Sequence, residues 1–143
     1  MLITRRLSSR SIGEWTVMLE AAAILVATNV ALRLCNFQAI RRLLIRCARR
    51  VRPIGKPVDA EKIVRAVERI SRPLRARSTC LSIALTAEAL LTHYGHDSVL
   101  CLGAKRASGQ FTAHAWVEQN DAVLIGGPRE VTLEYARFPS IPV

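Results

Sequence analysis

The alternation of apolar and polar positions changes period partway along this chain, from helical spacing to strand spacing. From Glu14 to Leu34 the apolar residues recur at helical intervals through Val17, Ala21, Ile24, Leu25 and Leu32, with Thr28 in the same stripe. A second helical pattern runs from Phe37 to Val51. It sets Ile40, Leu43, Leu44 and Cys47 on one face and Arg41, Arg42, Arg46, Arg49 and Arg50 largely on the other. Pro53-Ile54-Gly55-Lys56-Pro57 interrupts it. Asp59 then caps a third helix that runs to about Ile70, with Ile63, Val64, Val67 and Ile70 as its apolar stripe. A fourth helix is expected from Thr79 to about His93, with Ser78 as N-cap and Gly95 as the stop. Its body of Leu81, Ala84, Leu85, Glu88, Ala89 and Leu91 is mostly apolar, which marks it as central.

After Gly95 the period shortens to two. Ser98 to Lys105, Phe111 to Gln119 and Ala122 to Ile125 read as three strands. A turn at Ala107-Ser108-Gly109-Gln110 and a two-residue hairpin at Asn120-Asp121 join them, and Gly126-Gly127-Pro128 ends the last. The segment from Arg129 to Val143 shows no clear period. The expected class is α+β, helices first and then an antiparallel meander packed on the fourth helix. The expected division is a basic helical region over 1–57 and a core over 58–143.

The chain has 143 residues, half of them apolar, which suffices for a core without disulfides. Its four cysteines (Cys35, Cys47, Cys80, Cys101) show no paired spacing and no Cys-x-x-Cys, and no His/Cys cluster suggests zinc. We expect free thiols, no metal and no cofactor, in a reducing cytoplasm. The polar, basic residues 1–12 followed by an apolar stretch resemble a signal peptide only superficially. Glu20 interrupts that stretch, and no small-residue cleavage site follows it. The longest uncharged run, Ala21 to Leu32, is 12 residues, against the roughly 17–25 a spanning helix needs.

Net charge is +10, and its distribution is uneven. Residues 1–60 carry 11 Lys/Arg against 3 Asp/Glu, and residues 61–143 carry 10 against 8. The arginine-rich helix face reads as a solvated surface or as a dock for an acidic partner. Aromatics make up 5% of the chain and none interleaves with the arginines, so nucleic acid is not an expected partner. Whether the 14–34 helix packs on the domain, on a partner or on a membrane surface is left open by its pattern.

Two residues carry the candidate chemistry. Cys80, in Ser78-Thr79-Cys80-Leu81-Ser82, falls where the fourth helix begins. Unpaired N–H groups and the helix dipole stabilise negative charge there, on a sulfur or on an attacked carbonyl oxygen. His114 follows 34 residues later on a strand, sharing a face with Trp116 and Glu118. A thiol at a helix start facing a strand imidazole is a nucleophile with its base. Cys35, Cys47 and Cys101 read as small buried hydrophobes, and His93 and His96 as capping or surface residues.

Residues from about Pro73 to Gly127 resemble the transglutaminase-like cysteine peptidases of lasso-peptide biosynthesis, the B-type leader peptidases in their stand-alone form. The matching residues are Cys80-Leu81-Ser82-Ile83-Ala84-Leu85, Tyr94-Gly95-His96 and, most specific, Ala113-His114-Ala115-Trp116-Val117-Glu118. The resemblance implies a papain-like core, Cys80 as nucleophile and His114 as general base and acid. It implies removal of the leader from a ribosomally made precursor peptide. The implied partners are a separate leader-binding protein and an ATP-dependent macrolactam cyclase.

The family usually places an aspartate about a dozen residues past the histidine. Here Leu124-Ile125-Gly126-Gly127 stands instead, and a two-residue hairpin would pair His114 with Gly127. Asp121 and Glu118 lie too far along the strand. The third member is then a backbone carbonyl, a tail residue such as Glu130, or absent. The competing readings are a non-catalytic scaffold and another acyl-transfer enzyme, an amidase or a transglutaminase.

Overall fold

A computed structural model describes residues 12–53, 55–140 and 142–143. The basic segment expected over 1–12 lies outside them except for Ile12, and so does Ile54 of the proline-glycine break. The helices are α1 (Ile12–Leu34), α2 (Phe37–Arg50), α3 (Ala60–Ser71) and α4 (Cys80–His93), with a 3-10 turn at Arg72–Leu74 before α4. Strands β1 (Val99–Ala107), β2 (Gln110–Gln119) and β3 (Ala122–Ile125) follow, then a one-turn α5 (Arg129–Thr132) and a two-residue β4 (Ala136–Arg137). The sheet is antiparallel in the order β3-β2-β1-β4. The mixed helical and antiparallel architecture agrees with the α+β expectation.

The centre is α4. Its residues from Ala84 to Leu91 are all buried, because α1, α2 and α3 pack on it and β2 closes another side. Ala84, Leu85, Leu90 and Leu91 meet Ile63 and Val67 of α3, Val17 and Ala21 of α1, and Leu100, Ala115, Val117 and Ile125 of the sheet. By length and composition α1 could cross a membrane. Its Val17, Ala21, Leu25 and Thr28 are nevertheless buried in this core.

Four local expectations change. The inward face of α2 is Ile40, Arg41 and Ile45, while Leu43 and Cys47 are exposed. A buried ion pair sets this phase: Arg41 Nε and Nη2 donate to both oxygens of Glu88 at 2.9 and 2.7 Å. The N-cap of α4 is Thr79 rather than Ser78. The register of β2 against β3 slips at Val117/Glu118, so Val117 faces Ile125 and His114 is not opposite Gly127. The tail, which shows no period, contributes α5 and β4, and β4 lengthens the sheet by pairing Gly103 and Ala104 with Arg137 and Ala136.

Both hairpin turns use two residues of positive φ. These are Ser108 (51°) and Gly109 (78°), then Asn120 (49°) and Asp121 (62°). Such turns match the twist of paired strands. The first lets β1 and β2 stay in register from Val99↔Glu118 to Ala107↔Gln110.

Candidate active site

The start of α4 is tightly capped. Thr79 Oγ1 accepts from the Ser82 N–H (3.2 Å), and Ser82 Oγ accepts from the Thr79 N–H (3.0 Å), a reciprocal capping box. The Ile83 N–H bonds Thr79 O. The main-chain N–H groups of Cys80 and Leu81 take no partner among the described residues. They point out of the helix beside an exposed thiol. Ser78 is held from another direction: Asn29 Nδ2 of α1 donates to its Oγ at 2.9 Å. The nucleophile candidate therefore rides on a segment fixed by its own helix and by α1.

His114 sits in the middle of β2, half-buried, opposite Gly103 of β1. Its Nε2 lies 2.6 Å from Gly126 O. A carbonyl only accepts, so Nε2 carries the proton and Nδ1 is left unprotonated in the neutral ring. A main-chain carbonyl was one of three options open in the sequence for the group beside the histidine, and Gly126 O occupies that position against the ring. Glu130 is exposed at the start of α5, and Asp121 uses its main-chain oxygen to accept from Arg129. Gly126 earns its place sterically. Its φ is +113°, and a Cβ there would collide with Trp116 Cβ and press on Ala115 O. Only glycine lets the chain leaving β3 pass this close to β2.

Two aromatic rings fix the other sides of the imidazole. Trp116 stacks on it at 5.9 Å between centroids, and Tyr135 lies tilted at 5.1 Å. Gly103 makes room for both, since a Cβ there would meet Tyr135, Ala136 and Trp116 at 2.9–3.0 Å. Trp116 Nε1 donates to Glu118 Oε1 at 2.8 Å, and Arg137 Nη1 of β4 donates to Glu118 Oε2 at 3.0 Å. Burial alone would raise the Glu118 carboxyl; the bonds from Trp116 and Arg137 outweigh it and hold the pKa below the usual value. Cys101, directly across from Trp116 in β1, is buried beside Glu118, and burial foremost pushes its thiol up to about 11. Among the described residues no group of three or more His, Cys, Asp or Glu could hold a metal.

The two candidate residues lie on packed neighbours, α4 and β2, but no hydrogen bond joins the Cys80 thiol to the His114 ring. Ala115 and Val117 enter the core with α4, so by strand alternation the imidazole leaves β2 on the opposite face, among Trp116 and Tyr135. His93 and His96 are engaged elsewhere, each with a ring nitrogen at a main-chain carbonyl: His93 Nδ1 lies 3.4 Å from Ala48 O and His96 Nε2 2.6 Å from Val58 O. Cys35 and Cys47 are exposed, against the expectation of burial: Cys35 lies in the connection between α1 and α2, and Cys47 is turned out because α2 sets its Arg41 face inward.

A match to the transglutaminase-like superfamily spans residues 22–139, from the middle of α1 past β4. The chain belongs to that superfamily. Its members are typically cysteine proteases or acyltransferases, and the matched span contains both Cys80 and His114. No curated protein and no solved structure matches the chain significantly. Tyr135 and the Gly126 carbonyl were not singled out as site groups from the sequence alone. The Gly126-Gly127 pair was visible as a departure from the family pattern; that Gly126 O lies against the ring came only with the structure.

Proposed function

We propose that this transglutaminase-like protein is a cytoplasmic cysteine peptidase that removes the leader from a ribosomally made lasso-peptide precursor. In this reading it works with a separate leader-binding protein and an ATP-dependent macrolactam cyclase. The observation that carries the reading is the His114 Nε2–H bond to Gly126 O at 2.6 Å. It does the orienting work of the expected aspartate and leaves Nδ1 as the basic nitrogen.

In the proposed chemistry Nδ1 takes the Cys80 proton, and the sulfur attacks the scissile carbonyl. The N–H groups of Cys80 and Leu81 receive the oxyanion. The imidazolium returns its proton to the leaving amine as the C–N bond breaks, giving a thioester. Water, deprotonated by the same nitrogen, then releases the leader as a carboxylate and restores the thiol. A carbonyl dipole supports the imidazolium less than a full carboxylate does, so turnover is expected to be slower than with an aspartate. The reaction also requires the ring, which leaves β2 on the face opposite α4, to be brought to the Cys80 thiol when peptide and partner are bound.

That last requirement favours a second reading, a non-catalytic scaffold of the same complex. One experiment separates them: incubate precursor peptide with the protein, with and without the leader-binding partner, and analyse by mass spectrometry. The peptidase reading expects cleavage at one bond, abolished in Cys80→Ala and in His114→Ala while both variants remain folded. No cleavage by folded protein with partner bound would leave the scaffold. Cleavage followed by capture of an added amine in place of water would indicate a transferase.

A further inference from the structure

The face of α1 turned away from the core is as apolar as the buried one. Ile12, Trp15, Leu19, Val26, Val30 and Leu34 are 87, 52, 69, 53, 53 and 79% exposed. At 100° per residue they fall in one sector, together with the small side chains of Ala22, Ala23 and Ala27. The sector contains one charge, Arg33, in the last turn. A helix that is apolar all round is ordinarily buried all round, and a continuous exposed stripe of this length marks an interaction surface.

Charge selects what covers it. The chain is +10 overall, and its first 60 residues carry 11 basic against 3 acidic groups. Arg5, Arg6 and Arg10 precede the helix in sequence, and Arg33 ends the stripe. A second copy of this chain would bring like charge against like charge. A surface that combines an apolar interior with anionic head groups accepts both the stripe and the arginines. The opposite face of α1, through Val17, Ala21, Leu25 and Thr28, is committed to the core. The helix can therefore lie in such a surface without leaving the fold, whereas spanning it would strip α3 and α4 of their cover.

We propose that α1 docks the domain onto an anionic lipid bilayer, lying in the interface with Trp15 and the aliphatic stripe inserted. The proposal does not depend on the peptidase reading. The test is flotation of the full chain with vesicles of phosphatidylcholine containing phosphatidylglycerol, and with phosphatidylcholine alone, at low and high salt. Leu19→Glu/Val26→Glu serves as the variant, since both positions are outside the core and its circular dichroism should be unchanged. The expected result is flotation with the anionic vesicles, weakened by salt, and reduced about a hundredfold in the variant. Fluorescence of Trp15, read as the difference from Trp15→Phe, should shift to the blue on binding. Failure to float, equal binding to both vesicles, or binding unchanged in the variant would overturn the proposal. So would a concentration-dependent dimer that the variant dissolves, because a second copy would then be the cover.

Discussion

At the scale of single residues, the position least legible in advance was Arg41. In an arginine-rich helix it belongs by composition to the solvent face, yet it is buried and donates twice to Glu88. The sequence separation of 47 residues hides that pairing. Glu88 was the matching clue, a lone carboxylate in the apolar body of α4. Removing either partner strands a buried charge, so Arg41→Met or Glu88→Leu should each cost roughly 3–5 kcal/mol in urea denaturation. Replacing both together should recover most of that loss. Glu118 makes a second prediction. Its folded pKa is depressed, so its contribution is full above the ordinary carboxylate range and disappears as pH falls through the lowered folded value. Thermal midpoints of the native protein and Glu118→Gln should differ at neutral pH and converge in acid; a constant gap would refute the linkage. Cys101, buried and with a raised pKa, should resist iodoacetamide while Cys80 is alkylated readily at the helix start, a contrast that peptide mapping reads directly.

At the scale of elements, periodicity located four helices and three strands to within about two residues, because each has one face committed to the core. It failed where a single residue redirects an element. The bulge at Val117/Glu118 slips the β3 register by one position, so Val117 rather than Trp116 faces Ile125, and the contact of His114 is with Gly126 O. No pattern of apolar and polar residues announces such a slip. α5 and β4 were missed for another reason: four- and two-residue elements are too short to show a period. The same geometry makes Gly126 a sharp test. Gly126→Ala sets a Cβ against Trp116 on a backbone of positive φ, which pushes the strand exit away from β2 and the carbonyl away from His114. On the peptidase reading, the expected outcome is a kcat loss of at least about tenfold at nearly constant KM, with the pH–rate profile altered. Gly127→Ala, where a Cβ meets nothing within 4 Å, should suffer only the backbone strain. Equal behaviour of the two variants would show that the carbonyl contact does not matter to turnover.

At the scale of the whole molecule, the helix-then-sheet order already implied that α4 would be central, and local sequence named Cys80 and His114 as candidates. What was not legible is how the N-terminal helix reaches the site. Asn29 of α1 donates to Ser78 across 49 residues, two positions before Cys80. The rest of the inner face of α1 is held by the core and by Tyr94 Oη, which donates to Glu20 at 2.8 Å; burial first, then that carboxylate, raises the Tyr94 pKa and keeps it a donor. Anything that grips the outer face of α1 therefore acts on a helix bonded to the candidate nucleophile's own segment. On the peptidase reading, Asn29→Ala should lower peptide cleavage several-fold while moving stability by no more than about 1 kcal/mol, the worth of one part-buried hydrogen bond. Asn29→Asp, which can still accept from the Ser78 hydroxyl, should recover part of the rate. If both variants lose stability and rate in proportion, Asn29 serves only the packing of α1. If rate alone falls and Asp restores it, α1 positions the start of α4, and its occupancy by a partner or a surface becomes a means of setting activity.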